Sequence, residues 1–354
     1  MQSAASELEL LEACAREAGT MARELSLKPL EIESKGEAGP VTNVDKAVDA
    51  MLEIKLLSKR PDYGWLSEET PDKPEYRLGK DRTFMLDPID GTASLIGKTP
   101  QWTISIGLVQ GNRAYAGAIY NPMTDEMFTG VVGHGAFFNG MPMKVTDIGY
   151  LEGARIIGQK SRFADKRWPT PWPKMDVIER HSIAYRMALV AAGMGDATML
   201  FGWKHEWDVA AGAAIVEAAG GTVSDMWGGP LRFNNENPRV PGVAAAGAEL
   251  HALLIERTKT LPDPREQASG SRHMSEQQRQ LLHLVIGGEM KDLDRPEFID
   301  LKAVDFIGAY PNYRQAYDAW KGAAQRTIDN ARMRYFIIHA HRLLDPGTDP
   351  EGEM

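Results

Sequence analysis

Apolar residues recur at helical spacing from the start of the chain. After Leu8 they fall at Leu11, Ala15, Ala18, Ala22 and Leu25, which predicts an amphipathic helix over about residues 5–26. A second helix is expected over 44–58, reached through the Gly39-Pro40 turn and Val41-Thr42-Asn43. The period then changes. Thr83-Phe84-Met85-Leu86 and residues 103–109, 115–120 and 126–132 are short apolar runs. Breaks at Gly111-Asn112 and from Pro122 to Asp125 make the last three consecutive antiparallel strands. Helical spacing returns over 182–194 and from Asp208 through Ala219, where Gly220-Gly221 supplies a stop. Helices before, between and after a sheet predict a layered α/β architecture.

The pattern changes again near residue 258. Residues 259–273 hold Pro262, Pro264, Ser269, Gly270 and Ser271 without either period, and read as a linker. Gly270-Ser271-Arg272-His273-Met274 resembles a cloning junction, so an engineered fusion stands beside a natural two-domain chain as an explanation. Beyond it, 281–286 and 303–309 are expected as strands, 313–329 as a helix and 333–343 as a strand. The expected division is therefore a main domain over 1–258, a linker over 259–273 and a small α+β accessory domain over 274–354.

Composition narrows the classes. The 354 residues are 43% hydrophobic, enough for one large core with something smaller, or for two medium domains. Cys14 is the one cysteine, which rules out an internal disulfide framework, and no Cys/His spacing suggests structural zinc. A formal net charge of −9 argues against general nucleic-acid binding, which needs clustered Lys and Arg. It leaves room for a small anionic substrate, because a divalent cation can neutralise a local acidic pocket. With no signal-like leader and no run of about eighteen apolar residues, no membrane insertion is expected, and a cytoplasmic location is.

Four separated segments place acidic residues beside turn chemistry: Thr42-Asn43-Val44-Asp45, Ser67-Glu68-Glu69, Asp87-Pro88-Ile89-Asp90-Gly91-Thr92 and Glu206-Trp207-Asp208. Pro88 is expected to end a strand at Asp87. If Gly91 and Thr92 open a short helix, their N–H groups make an anion site beside Asp87 and Asp90. Taken alone, this string is equally an ordinary turn. Convergence of the four segments would change that reading. Two carboxylates about 4 Å apart repel by roughly 4 kcal/mol at an effective dielectric near 20, so such a pocket must hold cations or protons. Oxygen ligands favour Mg²⁺, Mn²⁺ or Ca²⁺ over zinc, and Mg²⁺ is the natural partner of phosphate. No P-loop, H-E-x-x-H, G-x-S-x-G or dinucleotide fingerprint competes.

Asp45, Glu68-Glu69, DPIDGT at 87–92, WDVAAG at 207–212 and EAAGG at 217–221 resemble, in this order, the inositol monophosphatase family. GAIYNPMTDEMFTGVVGHGAFFNG at 117–140 is similar to the family's central strands, and the resemblance spans about residues 5–255. It implies an α/β/α/β/α sandwich and a metal-dependent phosphatase. It further implies two or three Mg²⁺ ions: Glu68, Asp87 and the carbonyl of Ile89 at the first, Asp87, Asp90 and Asp208 at the second, and Asp45 with Glu68 at a weaker third. Thr92, partnered by Asp45, would orient the attacking water, so Thr92, Asp45 and Glu68 are the catalytic candidates. Gly91 and Thr92 would hold the phosphate, with Ser182 and Arg186 against the substrate, although His181 replaces the family's usual glycine. Lys204, His205 and Glu206 would face either the leaving group or solvent, and Trp207 would pack.

The substrate is read less sharply than the reaction. Leu66-Ser67-Glu68-Glu69 and Glu206-Trp207-Asp208 are similar to 3′(2′),5′-bisphosphate nucleotidases, which makes such a nucleotide the expected substrate. Leu95-Ile96-Gly97, Pro100 and Trp102 resemble inositol-phosphate and histidinol-phosphate enzymes at least as well. A noncatalytic phosphate-ligand sensor is the competing class; it predicts loss of a ligand or of Thr92, and none is lost. A homodimer, and a contact between the phosphatase and accessory domains, are further expectations. Residues 274–354 resemble a small uncharacterised bacterial family, which implies no reaction.

Overall fold

In the computed structural model, which describes residues 2–36, 39–164, 168–265, 283–291, 298–311, 313–327, 330 and 332–339, the chain forms two compact units, 1–264 and 265–354. The first helical period folds as α1 (Ala4–Ser26), whose cap Ser3 accepts from Ser6 N. A hairpin of β1 (Ile32–Ser34) and β2 (Pro40–Thr42) leads into α2 (Asn43–Lys59). There Thr42 and Asp45 cap each other reciprocally, satisfying backbone donors at the helix start.

Next come β3 (Gly64–Ser67), α3 (Pro74–Arg77), β4 (Arg82–Asp90) and α4 (Thr92–Ile96). A meander follows: β5 (Thr103–Gln110), β6 (Arg113–Asn121), β7 (Glu126–Val131), β8 (Gly135–Phe138) and β9 (Met141–Met143). Strands β3 to β9 lie side by side in chain order in one sheet, parallel at β3–β4 and antiparallel thereafter.

The chain then lays down β10 (Arg155–Ile157), α5 (Lys160–Phe163), β11 (Asp176–Ile178), α6 (Ile183–Ala191) and β12 (Ala197–Leu200). It continues through β13 (Lys204–His205), α7 (Glu206–Ala218), β14 (Thr222–Ser224), β15 (Arg239–Val240), β16 (Val243–Ala246) and α8 (Ala248–Thr258). A second sheet has the order β11-β10-β12-β16-β14, while β13 and β15 form a short ladder of their own.

Helices α1 and α2 pack on one face of the first sheet, α6 and α7 lie between the two sheets, and α8 covers the second. Three apolar clusters fill the gaps between layers. The first unit is thus the α/β/α/β/α sandwich that the resemblance implies.

Two expectations are corrected. Strand β4 does not stop at Asp87 but runs to Asp90, with a register shift against β5 between those two residues. Pro88 lies in that irregularity, where its missing N–H forfeits no regular ladder bond. Helix α7 begins at Glu206 rather than at Asp208, which therefore lies inside its first turn.

In the second unit β17 (His283–Glu289) is central, flanked antiparallel by β18 (Asp305–Tyr310) and later by β19 (Met333–His339). Between them α9 (Tyr313–Arg326) packs on the sheet, and Trp320 Nε1 donates to Tyr335 O at 2.8 Å. The Gly270–Met274 segment, the helix end at 328–329 and residues 340–343 lie outside the described residues. Among the described residues no helix is long and apolar enough to cross a membrane.

Candidate active site

The acidic segments fall at element ends that the sandwich brings together. Parallel pairing sets Ser67 of β3 beside Leu86 of β4, and Glu68 N donates to Leu86 O at 3.2 Å, so Glu68 stands next to Asp87. Asp208 arrives from the first turn of α7. One carboxylate oxygen each of Glu68, Asp87 and Asp208 lies within 4.8 Å of the others.

Charge is expensive here. Burial, then Glu68, Asp90 and Asp208, push the Asp87 carboxyl well above the usual range. Burial, then Asp90 and Glu68, do the same to Asp208. Lys35, from the turn after β1, donates to Glu68 at 2.9 Å and to Glu69 at 2.8 Å. Burial opposes its charge, but hydrogen bonds to Glu69 and Glu68 prevail and raise its pKa. Burial pushes Glu69 up to about 7 despite Lys35, with Glu68 and Asp45 adding repulsion. A desolvated, all-oxygen donor set whose members repel one another fits a hard divalent cation.

The other predicted residues take separate places around this cluster. Asp90 is not among its three mutually close ligands: Ile183 N and Ala184 N donate to it at 3.1 and 2.6 Å, and Ser182 Oγ also donates to it. It therefore accepts from the first-turn donors of α6. Burial raises its pKa in spite of those three donors. Asp45 Oδ2 accepts from Thr42 N at 2.9 Å and from Thr42 Oγ1 at 2.5 Å, while Asp45 Oδ1 faces Thr92 Oγ1 at 2.8 Å. Thr92 Oγ1 also lies 3.2 Å from the Ile89 carbonyl. Gly91 has φ 104°, and a Cβ there would meet Gln101 O at 2.9 Å, so the turn that presents Thr92 requires glycine.

Two substrate-facing expectations change. Ser182 is fully buried; it spends its proton on Asp90, accepts from Tyr185 N at 3.0 Å and acts as the cap of α6 rather than as an exposed contact. Glu206 is likewise buried and turned away, accepting from Asn234 N at 2.6 Å and from Asn235 Nδ2 at 2.6 Å. His205 stacks on Trp207 with centroids 4.2 Å apart, and its backbone N–H donates to Asp208 Oδ2 at 3.0 Å. Arg186 is buried, donating to Arg180 O at 2.7 Å and His181 O at 3.3 Å.

Sequence reasoning missed Lys35 and Asp49, the latter accepting from Thr70 Oγ1 at 2.6 Å behind the Glu68 loop. Neither carried a local signal: Lys35 lies in a short polar hairpin, and Asp49 reads as one more polar position of α2.

The family model described as the inositol monophosphatase family matches residues 5–262, and a domain of unknown function, DUF4170, matches 281–340. Inositol monophosphatase 3 of Solanum lycopersicum is 33% identical over 259 residues, which cover 70% of this chain and 95% of that protein. Inositol monophosphatase 1 of Bos taurus is 32% identical over 267 residues, covering 71% and 94%. Among solved structures, the extragenic suppressor protein suhB from Bartonella henselae superposes with a TM-score of 0.63 at 27% identity, covering 73% of this chain and all of that one (100%). The inositol monophosphatase from Anabaena (Nostoc) sp. PCC 7120 gives 0.59 at 26%, covering 74% and 98%.

Proposed function

The chain belongs to the inositol monophosphatase family of metal-dependent phosphoric monoester hydrolases, and on that premise we propose that it hydrolyses a phosphate monoester of a small soluble alcohol with Mg²⁺ held at Glu68, Asp87 and Asp208. The Ile89 carbonyl, Asp90 and Asp45 complete the proposed ligand sets. Bound there, Mg²⁺ would neutralise the carboxylates, draw in phosphoryl oxygens and lower the pKa of water.

The observation that carries the proposal is the hydrogen bond between Thr92 Oγ1 and Asp45 Oδ1 beside the carboxylate cluster. With its proton engaged by Asp45, the hydroxyl keeps lone pairs with which to accept from a water and hold it in line with phosphorus. Asp45 is itself fixed by the two donors of Thr42, so the pair is oriented before substrate arrives. The N–H groups of Gly91 and Thr92, at the start of α4, would donate to the phosphoryl oxygens. A phosphate sensor would have no use for this hydroxyl pair.

The relatives' names bring inositol monophosphates into the substrate set. The likeness of residues 66–69 and 206–208 to bisphosphate nucleotidases brings in 3′(2′),5′-bisphosphate nucleotides, and histidinol phosphate belongs on the same panel. Phosphate release by the full chain is expected with Mg²⁺ and is expected to vanish with EDTA. Thr92→Ala is expected to cost about 10²- to 10⁴-fold in kcat, as loss of a positioned proton-transfer partner does. Silence across the panel with Mg²⁺ binding intact would favour the sensor; an unimpaired Thr92→Ala would sink the assigned role.

A further inference from the structure

Two buried acids on α2 reach different halves of the proposed site. Asp45 and Asp49 are four residues apart, so they share one face of the helix with about 6 Å between them along its axis. Both are buried, at 1% and 6% exposure. Asp45 holds Thr92 Oγ1 at 2.8 Å. Asp49 holds the opposite arm: Ser67 Oγ donates to its Oδ1, and Thr70 Oγ1 donates to its Oδ2 at 2.6 Å.

Ser67 and Thr70 flank Glu68-Glu69. Strand β3 ends at Ser67, and Glu68 N still bonds to Leu86 O, but beyond it the loop is irregular. The bond from Thr70 to Asp49 ties down that far side. Lys35 also holds the loop, through the side chains of both glutamates. An ammonium there engages a carboxylate that a divalent cation would need. Asp49 instead takes the hydroxyls on either side and leaves the Glu68 carboxylate available.

A buried carboxylate is a costly way merely to close a loop. Among the described residues Asp49 makes no ion pair within 4.0 Å, so neutral hydroxyls answer its two oxygens. Apolar packing could close the same gap without burying a charge. What the carboxylate adds is direction, because two charge-assisted hydrogen bonds from residues on both sides of Glu68 fix where the loop sits and how it is turned.

We propose that Asp49 is the positioning residue of Glu68, holding that proposed metal ligand beside Asp87, so that α2 sets Glu68 and Thr92 in one frame. The proposal deepens the monoesterase reading; it rests on that reading for its kinetics and not for Mg²⁺ binding.

The test titrates Mg²⁺ into the metal-free full chain by isothermal calorimetry. Asp49→Ala is expected to weaken binding about 10- to 100-fold, as loss of a partner that orients a metal ligand does. Asparagine keeps the shape and one acceptor, and its amide can donate to a hydroxyl oxygen, so Asp49→Asn is expected to stay within about threefold of wild type. Thr70→Val removes one of the two bonds at a half-buried position and is expected to weaken binding about three- to tenfold, which keeps the test alive if Asp49→Ala does not fold. With Mg²⁺ saturating and myo-inositol 1-phosphate as ester, the variants are expected to lose kcat while KM stays within about twofold. A metal-free Tm that falls while Mg²⁺ affinity stays at the wild-type value overturns the positioning role and leaves the monoesterase reading intact. An Asp49→Asn variant no better than Asp49→Ala also overturns it, since charge and not the hydrogen bonds would then be responsible. The expected order of Mg²⁺ affinities, with no phosphate released from any ester by the wild type, would bear out the positioning role and overturn the monoesterase reading. A wild type that binds no Mg²⁺ overturns both.

Discussion

Ionising Asp87 means placing charge at a buried position that Glu68, Asp90 and Asp208 already make negative. Its folded-state pKa, like that of Asp208, is raised above the unfolded value. The stabilisation this represents is fully present below the ordinary carboxylate range and is lost as pH rises through the raised pKa, because the folded state binds the extra protons. In EDTA, the Tm of the wild type is therefore expected to fall more steeply than that of Asp87→Asn as pH rises above the ordinary carboxylate range. Asp87→Asn is also expected to be the more stable by about 1 kcal/mol or more at high pH, and inactive. Added Mg²⁺ should raise the wild-type Tm most at high pH, where protons compete least. Parallel Tm–pH slopes in calorimetry would refute this account. Asp45, Glu68 and the 87–92 string stood out in the sequence because acidic residues sat beside turn formers. Lys35 did not, since a lone basic residue in a polar segment looks the same whether it faces a carboxylate or water.

Among the elements, α7 sets how deeply Asp208 enters the site. Its run Ala210-Ala211-Gly212-Ala213-Ala214 lets the helix lie close on β5 and β6. A Cβ added at Gly117 of β6 would sit 2.5 Å from Ala211 O and 2.9 Å from Ala211 Cα. Backbone cannot yield as a side-chain tip can, so Gly117→Val is expected to destabilise by about 1–3 kcal/mol or more through overpacking. It should also lower Mg²⁺-dependent turnover by lifting Asp208 away from Glu68 and Asp87; urea unfolding with a parallel phosphate assay checks both, and wild-type values in each would refute the close-packing argument. Most elements were legible in their period, with α1, α2 and the β5–β7 meander lying within a few residues of expectation. The misreading at Pro88 has a physical source. Proline excludes a regular ladder bond, but a strand with an irregular register can pass through it, and only the pairing with β5 reveals that irregularity.

For the whole molecule, every residue of the proposed site lies between Lys35 and Asp208, inside the first unit, which has its own three apolar clusters. Removing residues 265–354 is therefore expected to leave the Mg²⁺-dependent Tm shift in place and kcat/KM within about twofold, since a unit with its own core carries its own site. A collapse of either in the truncated protein would show that the second unit supports the first.

The order of the acidic motifs and the helical and strand periods are written in the chain, because each depends on neighbours a few residues away. Tertiary structure alone decided which carboxylates meet, that Asp90 accepts from the first turn of α6, that Ser182 and Glu206 are buried in support of others, and that Arg162, Arg186 and Lys204 border one cavity. Those outcomes depend on how two sheets and the helices between them stack, which juxtaposes residues more than a hundred positions apart, and no local pattern encodes that distance.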